Sequence, residues 1–114
     1  MTFGQLIRNY RKDSGYTIRE AAAALELAQS YLTDIENGKR SAPNAHFVKI
    51  IELYGIDDVD QFYDLAGLTH HNSFVDINEY LGANPIVREV IRLARDNGLG
   101  EERWRAIMEL MEEN

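Results

Sequence analysis

The sequence predicts an all-α protein, a five-helix domain followed by a small helical C-terminal region. Three observations lead there. Apolar residues recur at three- and four-residue intervals through almost the whole chain. Capping residues and glycines interrupt that pattern at the spacing of short helices. No alternating apolar and polar run is long enough to suggest a strand.

Phe3, Leu6, Ile7 and Tyr10 make one apolar stripe, with Arg8, Arg11 and Lys12 between or after them, and Ser14-Gly15 ends this first helix. Thr17-Ile18-Arg19-Glu20 is a capping box, in which the threonine hydroxyl and the glutamate carboxylate each satisfy a free amide, so a second helix starts at Thr17 and runs through Leu25. The small side chains of Ala21, Ala22, Ala23 and Ala24 let another helix approach it closely. Glu26-Leu27-Ala28 is a turn, and a third helix follows from Ala28 or Gln29 to Asn37, with Leu32 and Ile35 inward and Gly38 as its left-handed stop.

After a basic connector, Lys39 to Pro43, Asn44 is expected to cap a fourth helix that Gly55 ends. Asp57 or Asp58 starts a fifth, with Val59, Phe62, Leu65 and Ala66 inward and Gly67 at its end. This gives a domain over residues 1–68, then a linker over 69–75, or a loop packed through Phe74. Residues 76–114 form the helical C-terminal region, with a capping box at Asp76-Ile77-Asn78-Glu79, a helix start at Asn84-Pro85 and a stop at Asn97-Gly98. A last helix from about Glu101 carries Trp104, Ile107, Met108 and Met111 on one side.

Charge narrows the partners. The 114 residues carry 12 Lys or Arg and 19 Asp or Glu, for a net charge of −7, which by itself argues against nucleic acid. The charge is unevenly spread: residues 1–43 are at +1, whereas 44–75 and 76–114 are each at −4. With no cysteine, no disulfide or thiolate metal site is available. His46, His70 and His71 lack the i, i+4 spacing of a helical metal site, and no metal or other cofactor is expected. No catalytic nucleophile motif or Gly-rich phosphate loop is present, so an enzyme is not expected. No signal-peptide core and no stretch of about 20 apolar residues occurs, and the expectation is a soluble protein of the cytoplasm, without a membrane partner.

The least acidic segment also holds the most specific pattern. A capped helix, a tight turn about eight residues on and a third helix with short polar side chains outward are the parts of a helix-turn-helix, whose third helix fits the major groove of DNA. Gln29, Ser30, Tyr31, Thr33 and Asp34 are the candidate base contacts. A glutamine grips adenine through two hydrogen bonds, a serine serves several bases, a threonine or tyrosine meets a thymine methyl, and an aspartate accepts from cytosine N4. Arg19 is a candidate phosphate ligand on the second helix.

The pattern resembles the lambda-repressor-like, or Cro-type, helix-turn-helix regulators, also called the xenobiotic-response-element family. The resemblance covers residues 3 to about 68. Leu6, Arg11, Gly15, Thr17, Ala21, Leu25 and Leu27 carry it, with the run Ile35-Glu36-Asn37-Gly38-Lys39-Arg40 and Pro43 after it. It implies a five-helix fold, a structural ion pair between Arg11 and Glu36, and phosphate contacts around Asn37, Lys39 and Arg40. Two positions depart from the family. Ile18 stands where a phosphate-touching glutamine is usual, and Ala28 stands where serine or threonine often caps the third helix.

The expected function is a sequence-specific transcription regulator, a repressor, with a double-stranded DNA operator as partner. Trp104, Ile107, Met108 and Met111 can pack on the first domain or on a second copy of the chain; because one such domain reads only half a site, they are assigned to homodimerisation. The alternative is a protein-interaction module with a helix-turn-helix fold and weak or no DNA binding, engaging a protein partner through its acidic C-terminal half. Ile18, Asp34 and the net charge favour it.

Overall fold

The computed structural model describes residues 1 to 113, and these form eight α-helices and one short 3-10 turn, with no strand among the described residues. They fall into two compact units, Met1–Asp76 and a second beginning at Ile77. The first contains α1 (Phe3–Asp13), α2 (Ile18–Ala24), α3 (Gln29–Glu36), α4 (Phe47–Tyr54) and α5 (Val59–Thr69).

Local chemistry sets the ends of these helices. Thr2 caps α1 in a reciprocal pair with Gln5, and Thr17 caps α2 in the same way with Glu20. Hydrogen bonds from Thr17, its backbone amide first, hold the Glu20 carboxyl below the usual carboxylate range. Between α2 and α3 the chain turns through Glu26, a non-glycine residue in the left-handed region at φ 57°. Its carboxylate meets Lys49 Nζ of α4 at 2.7 Å. Ala28 stands at the N-cap of α3 and makes no side-chain cap bond, so that end depends on packing rather than capping. Inward from it, Leu32 and Ile35 are fully buried.

Phe62 is the centre of the first core. It is fully buried and stacks edge-on to Phe3 at 5.2 Å and to Phe47 at 5.3 Å between ring centroids. Ile7, Leu25, Leu32 and Ile50 close around the same core.

Several expected boundaries move. Asn44 does not cap α4; it opens a 3-10 turn, Asn44–His46, closed by the Phe47 amide on the Asn44 carbonyl. Gly67 does not end α5, which continues to Thr69 because Gly67 is buried inside the helix with the Phe74 ring against it. A Cβ at Gly67 would lie 2.4 Å from Phe74 Cδ1. Of the segment expected over 69–75, Thr69 ends α5 and Val75 opens α6, which leaves a short loop over 70–74 with His71 and Asn72 left-handed and the Phe74 ring against Gly67. The sixth helix, α6 (Val75–Ala83), has already begun when Asp76 is reached, so Asp76 lies in its first turn and not at a cap.

The second unit holds the rest of α6 with α7 (Pro85–Asp96) and α8 (Glu101–Glu112). Pro85 opens α7 as expected, but the Asn84 side chain does not cap it and instead donates to the Tyr80 carbonyl at 2.7 Å. Arg88 ties α7 to the end of α6 by donating to the carbonyls of Leu81 and Gly82.

Gly4 marks the tightest approach in the first unit. A Cβ there would lie 2.5 Å from the Glu36 carbonyl oxygen and 2.6 Å from that of Ile35. Alanine is the better helix former by about 1 kcal/mol, yet backbone atoms at that distance yield only if the helices separate. Gly4→Ala is therefore expected to lower the unfolding free energy, by about 1–3 kcal/mol as overpacked cores do. Urea denaturation followed by circular dichroism checks this, and an unchanged or raised midpoint would refute the close contact.

Candidate nucleic-acid interface

A buried carboxylate fixes the C-terminal end of α3. Glu36, the last residue of α3, is 4% exposed. Arg11 of α1 grips it twice, with Nε at 2.8 Å from Oε2 and Nη2 at 3.0 Å from Oε1, and gives its remaining Nη1 to the Tyr16 carbonyl. The hydrogen bond to Glu36 outweighs burial and raises the Arg11 pKa above its ordinary value. This is the pair that the resemblance implied.

Arg8, in the sequence only a charge beside the apolar stripe of α1, joins the same cluster. Its Nε lies 3.5 Å from Glu36 Oε1 and its Nη2 donates to Asn37 Oδ1, so it braces the end of α3 from the same helix face as Arg11. The i, i+3 spacing of Arg8 and Arg11 carried that signal. Tyr54 lies beside the cluster, and burial first, then the Glu36 charge, pushes its phenol up to about 12.

With Leu32, Ile35 and Glu36 inward, Gln29, Ser30 and Thr33 are exposed on the outer side of α3. Gln29 and Ser30 side chains make no hydrogen bond among the described residues, whereas the Thr33 hydroxyl donates to the Gln29 carbonyl at 3.0 Å. Tyr31 and Asp34 are placed differently from the other candidate base contacts. Tyr31 is half-buried, packs against the core and donates its hydroxyl to the Ser41 carbonyl at 3.3 Å. Asp34 pairs with Arg40, Nε to Oδ2 at 3.4 Å, and the Arg40 guanidinium lies 4.9 Å above the Tyr31 ring.

Arg19 and Lys39 are exposed and have no ion-pair partner among the described residues, and Asn37 is exposed at the C-cap of α3. Ile18 is half-buried against the core, so the position that carries a phosphate-touching glutamine in the resembled family is a packing position here. Among the described residues no group of three or more His, Asp or Glu is placed to hold a metal ion. None of the described helices is long and apolar enough to cross a membrane.

Residues 2–62 match the family model described as a helix-turn-helix domain. The chain belongs to that family. Its relatives include the HTH-type transcriptional regulator SinR of Bacillus subtilis (strain 168), 26% identical over 106 residues, which cover 93% of this chain and 88% of SinR. The HTH-type transcriptional regulator YqaF of the same organism, itself described as uncharacterized, is 36% identical over 67 residues, 59% of this chain and 88% of YqaF. SlrR, a third HTH-type transcriptional regulator of that organism, is 41% identical over 61 residues, 54% of this chain and 40% of SlrR. The family match ends within α5, whereas the 106-residue alignment with SinR necessarily runs on into the second unit.

Because Glu36 is buried among two guanidinium groups, losing its charge leaves them facing a poorly solvated site. Glu36→Gln is expected to cost about 3 kcal/mol, in the range for breaking one side of a buried pair. Guanidinium chloride unfolding measures it, and a loss of a few tenths would mean that the pair behaves as a surface contact.

Proposed function

We propose that this chain is a DNA-binding transcription regulator of the cytoplasm that acts as a repressor, docking α3 in the major groove of an operator. One observation carries this most strongly. The exposed side of α3 presents Gln29, Ser30 and Thr33 from a helix whose far end is fixed to α1 by the Arg11 and Arg8 contacts to Glu36. These three are the base contacts: the amide of Gln29 for adenine, the hydroxyl of Ser30 for either class of base edge, and the methyl of Thr33 for thymine. Arg19, Asn37, Lys39 and Arg40 are the phosphate contacts that set the register of the helix on the duplex. Tyr31 and Asp34, bound within the chain, are removed from the readout set.

The second unit serves as a homodimerisation element. Trp104, Ile107 and Met111 of α8 line, with Ile86, Val90 and Ile91 of α7, an apolar hollow of about 350 Å³. Met108 lies outside that lining but is 47% exposed, and Met111 is 71% exposed. Exposed side chains of this kind gain by covering one another in a two-fold pair, and a two-fold pair suits an operator whose half-sites lie about 34 Å apart. An acidic second unit is also compatible with a protein partner that modulates the regulator.

Two experiments test this. Binding to mixed-sequence duplex across a salt series should weaken with a slope of about −0.9 per neutralised phosphate, and Lys39→Glu with Arg40→Glu should weaken binding on every sequence alike. No retention at low salt, or retention unmoved by the two substitutions, overturns the DNA reading and favours a protein-interaction module. Sedimentation should show a dimer that becomes a monomer on Met108→Glu with Met111→Glu, while the helical content stays constant. A monomeric parent chain, or a dimer indifferent to both changes, removes α8 from the interface.

A further inference from the structure

The segment after α3 doubles back on the helix it leaves. The amides of Lys39 and Arg40 both donate to the Asp34 carbonyl, at 2.8 and 3.3 Å, and the Tyr31 hydroxyl reaches the Ser41 carbonyl. This return lays the Arg40 guanidinium over the Tyr31 ring with its Nε 3.4 Å from Asp34 Oδ2. Tyr31 and Asp34 are i and i+3 on α3 and so share one side of the helix. That side is built to receive residue 40. Lys39, the neighbouring cation, has no ion-pair partner among the described residues.

We infer that Arg40 is a captive cation: Asp34 holds its charge in the free protein, and a DNA phosphate must displace Asp34 to use it. The inference rests on the DNA reading above and changes what Asp34 does within it. Asp34 becomes a restraint on phosphate attraction, not a reader of bases, and Tyr31 becomes the platform that keeps the guanidinium in place while its anion is exchanged. The exchange is feasible because the pair is open to water, with side chains 55% and 32% exposed, and pairs of that kind bind weakly. Phosphate also matches a guanidinium better than a single Nε contact does, since it accepts two parallel N–H bonds. The consequence is a weaker hold on duplex DNA than a free Arg40 would give, since the Asp34 contact is given up each time Arg40 takes a phosphate.

The test is a salt titration of the full chain on mixed-sequence duplex, comparing Asp34→Asn, Arg40→Gln and the double variant, with the Arg40 Nε–H resonance followed by NMR in the free proteins. Freeing one cation for one phosphate should tighten binding by Asp34→Asn about three- to tenfold near 0.1 M salt and steepen the salt slope by up to about 0.9. That gain should vanish in the Arg40→Gln background. In the free protein, Asp34→Asn should shift the Arg40 Nε–H resonance. Weaker or unchanged binding by Asp34→Asn, or the same gain without Arg40, overturns the capture. An unmoved Nε–H resonance overturns it even where DNA retention is normal, whereas no retention of either the parent chain or Asp34→Asn overturns the DNA reading along with it.

Discussion

The buried carboxylate of Glu36 is the constraint on which the first unit depends. Taking a carboxylate out of water costs several kcal/mol, and only close, well-aligned partners offset it. Those partners come from α1, eleven residues long, with Arg11 and Arg8 on the side that faces α3. An apolar contact at this point would hold the helices together equally well, but it would tolerate sliding and rotation of α3. Two parallel hydrogen bonds from one planar guanidinium do not. Gly4 makes the geometry reachable, because its missing side chain brings α1 against the last carbonyls of α3. The outward direction of Gln29, Ser30 and Thr33 follows from that anchoring at the other end of the helix.

Much of this was legible in the sequence where one residue type has one physical use. Thr17 and Glu20 announced the start of α2, and Gly15, Gly38, Gly55 and Gly98 stand at left-handed positions that end helices. Legibility failed where a residue had two uses. Gly67 could end a helix or make room for a ring, and the Phe74 side chain decides for the second, which only the folded chain reveals. Asn84 could cap forward or donate backward, and its amide turns to the Tyr80 carbonyl. Thr2 and Gln5 form a capping pair as good as that of Thr17, missed because the apolar stripe already accounted for the helix. In the candidate interface, the polar side of α3 was read from spacing. The engagement of Tyr31 and Asp34 by residues 40 and 41 was not, because it depends on how the chain returns after Gly38.

The two units solve the burial problem differently. The first closes a core around Phe62 with its own aromatic residues. In the second, Ala94 is the one buried hydrophobic residue among those described, while Ile86, Leu93 and Leu110 are each more than 60% exposed. Chains below about 40 residues seldom bury enough apolar surface to be stable by themselves, and association is one of their usual remedies. The apolar surface that this three-helix unit leaves exposed is the basis of the dimer proposed above.

Electrostatics then connects the two units. A chain at −7 is repelled by DNA at long range, so binding relies on short-range contacts made in register. One half-site offers few of them, since Arg11 is committed to Glu36 and Arg40 to Asp34 before any DNA arrives. The dimer proposed above would double the phosphate contacts, and the penalty for wrong register would fall on both halves. In that dimer, weak attraction of a single copy would favour a paired site over random sequence, because affinity would then depend on both halves being in register.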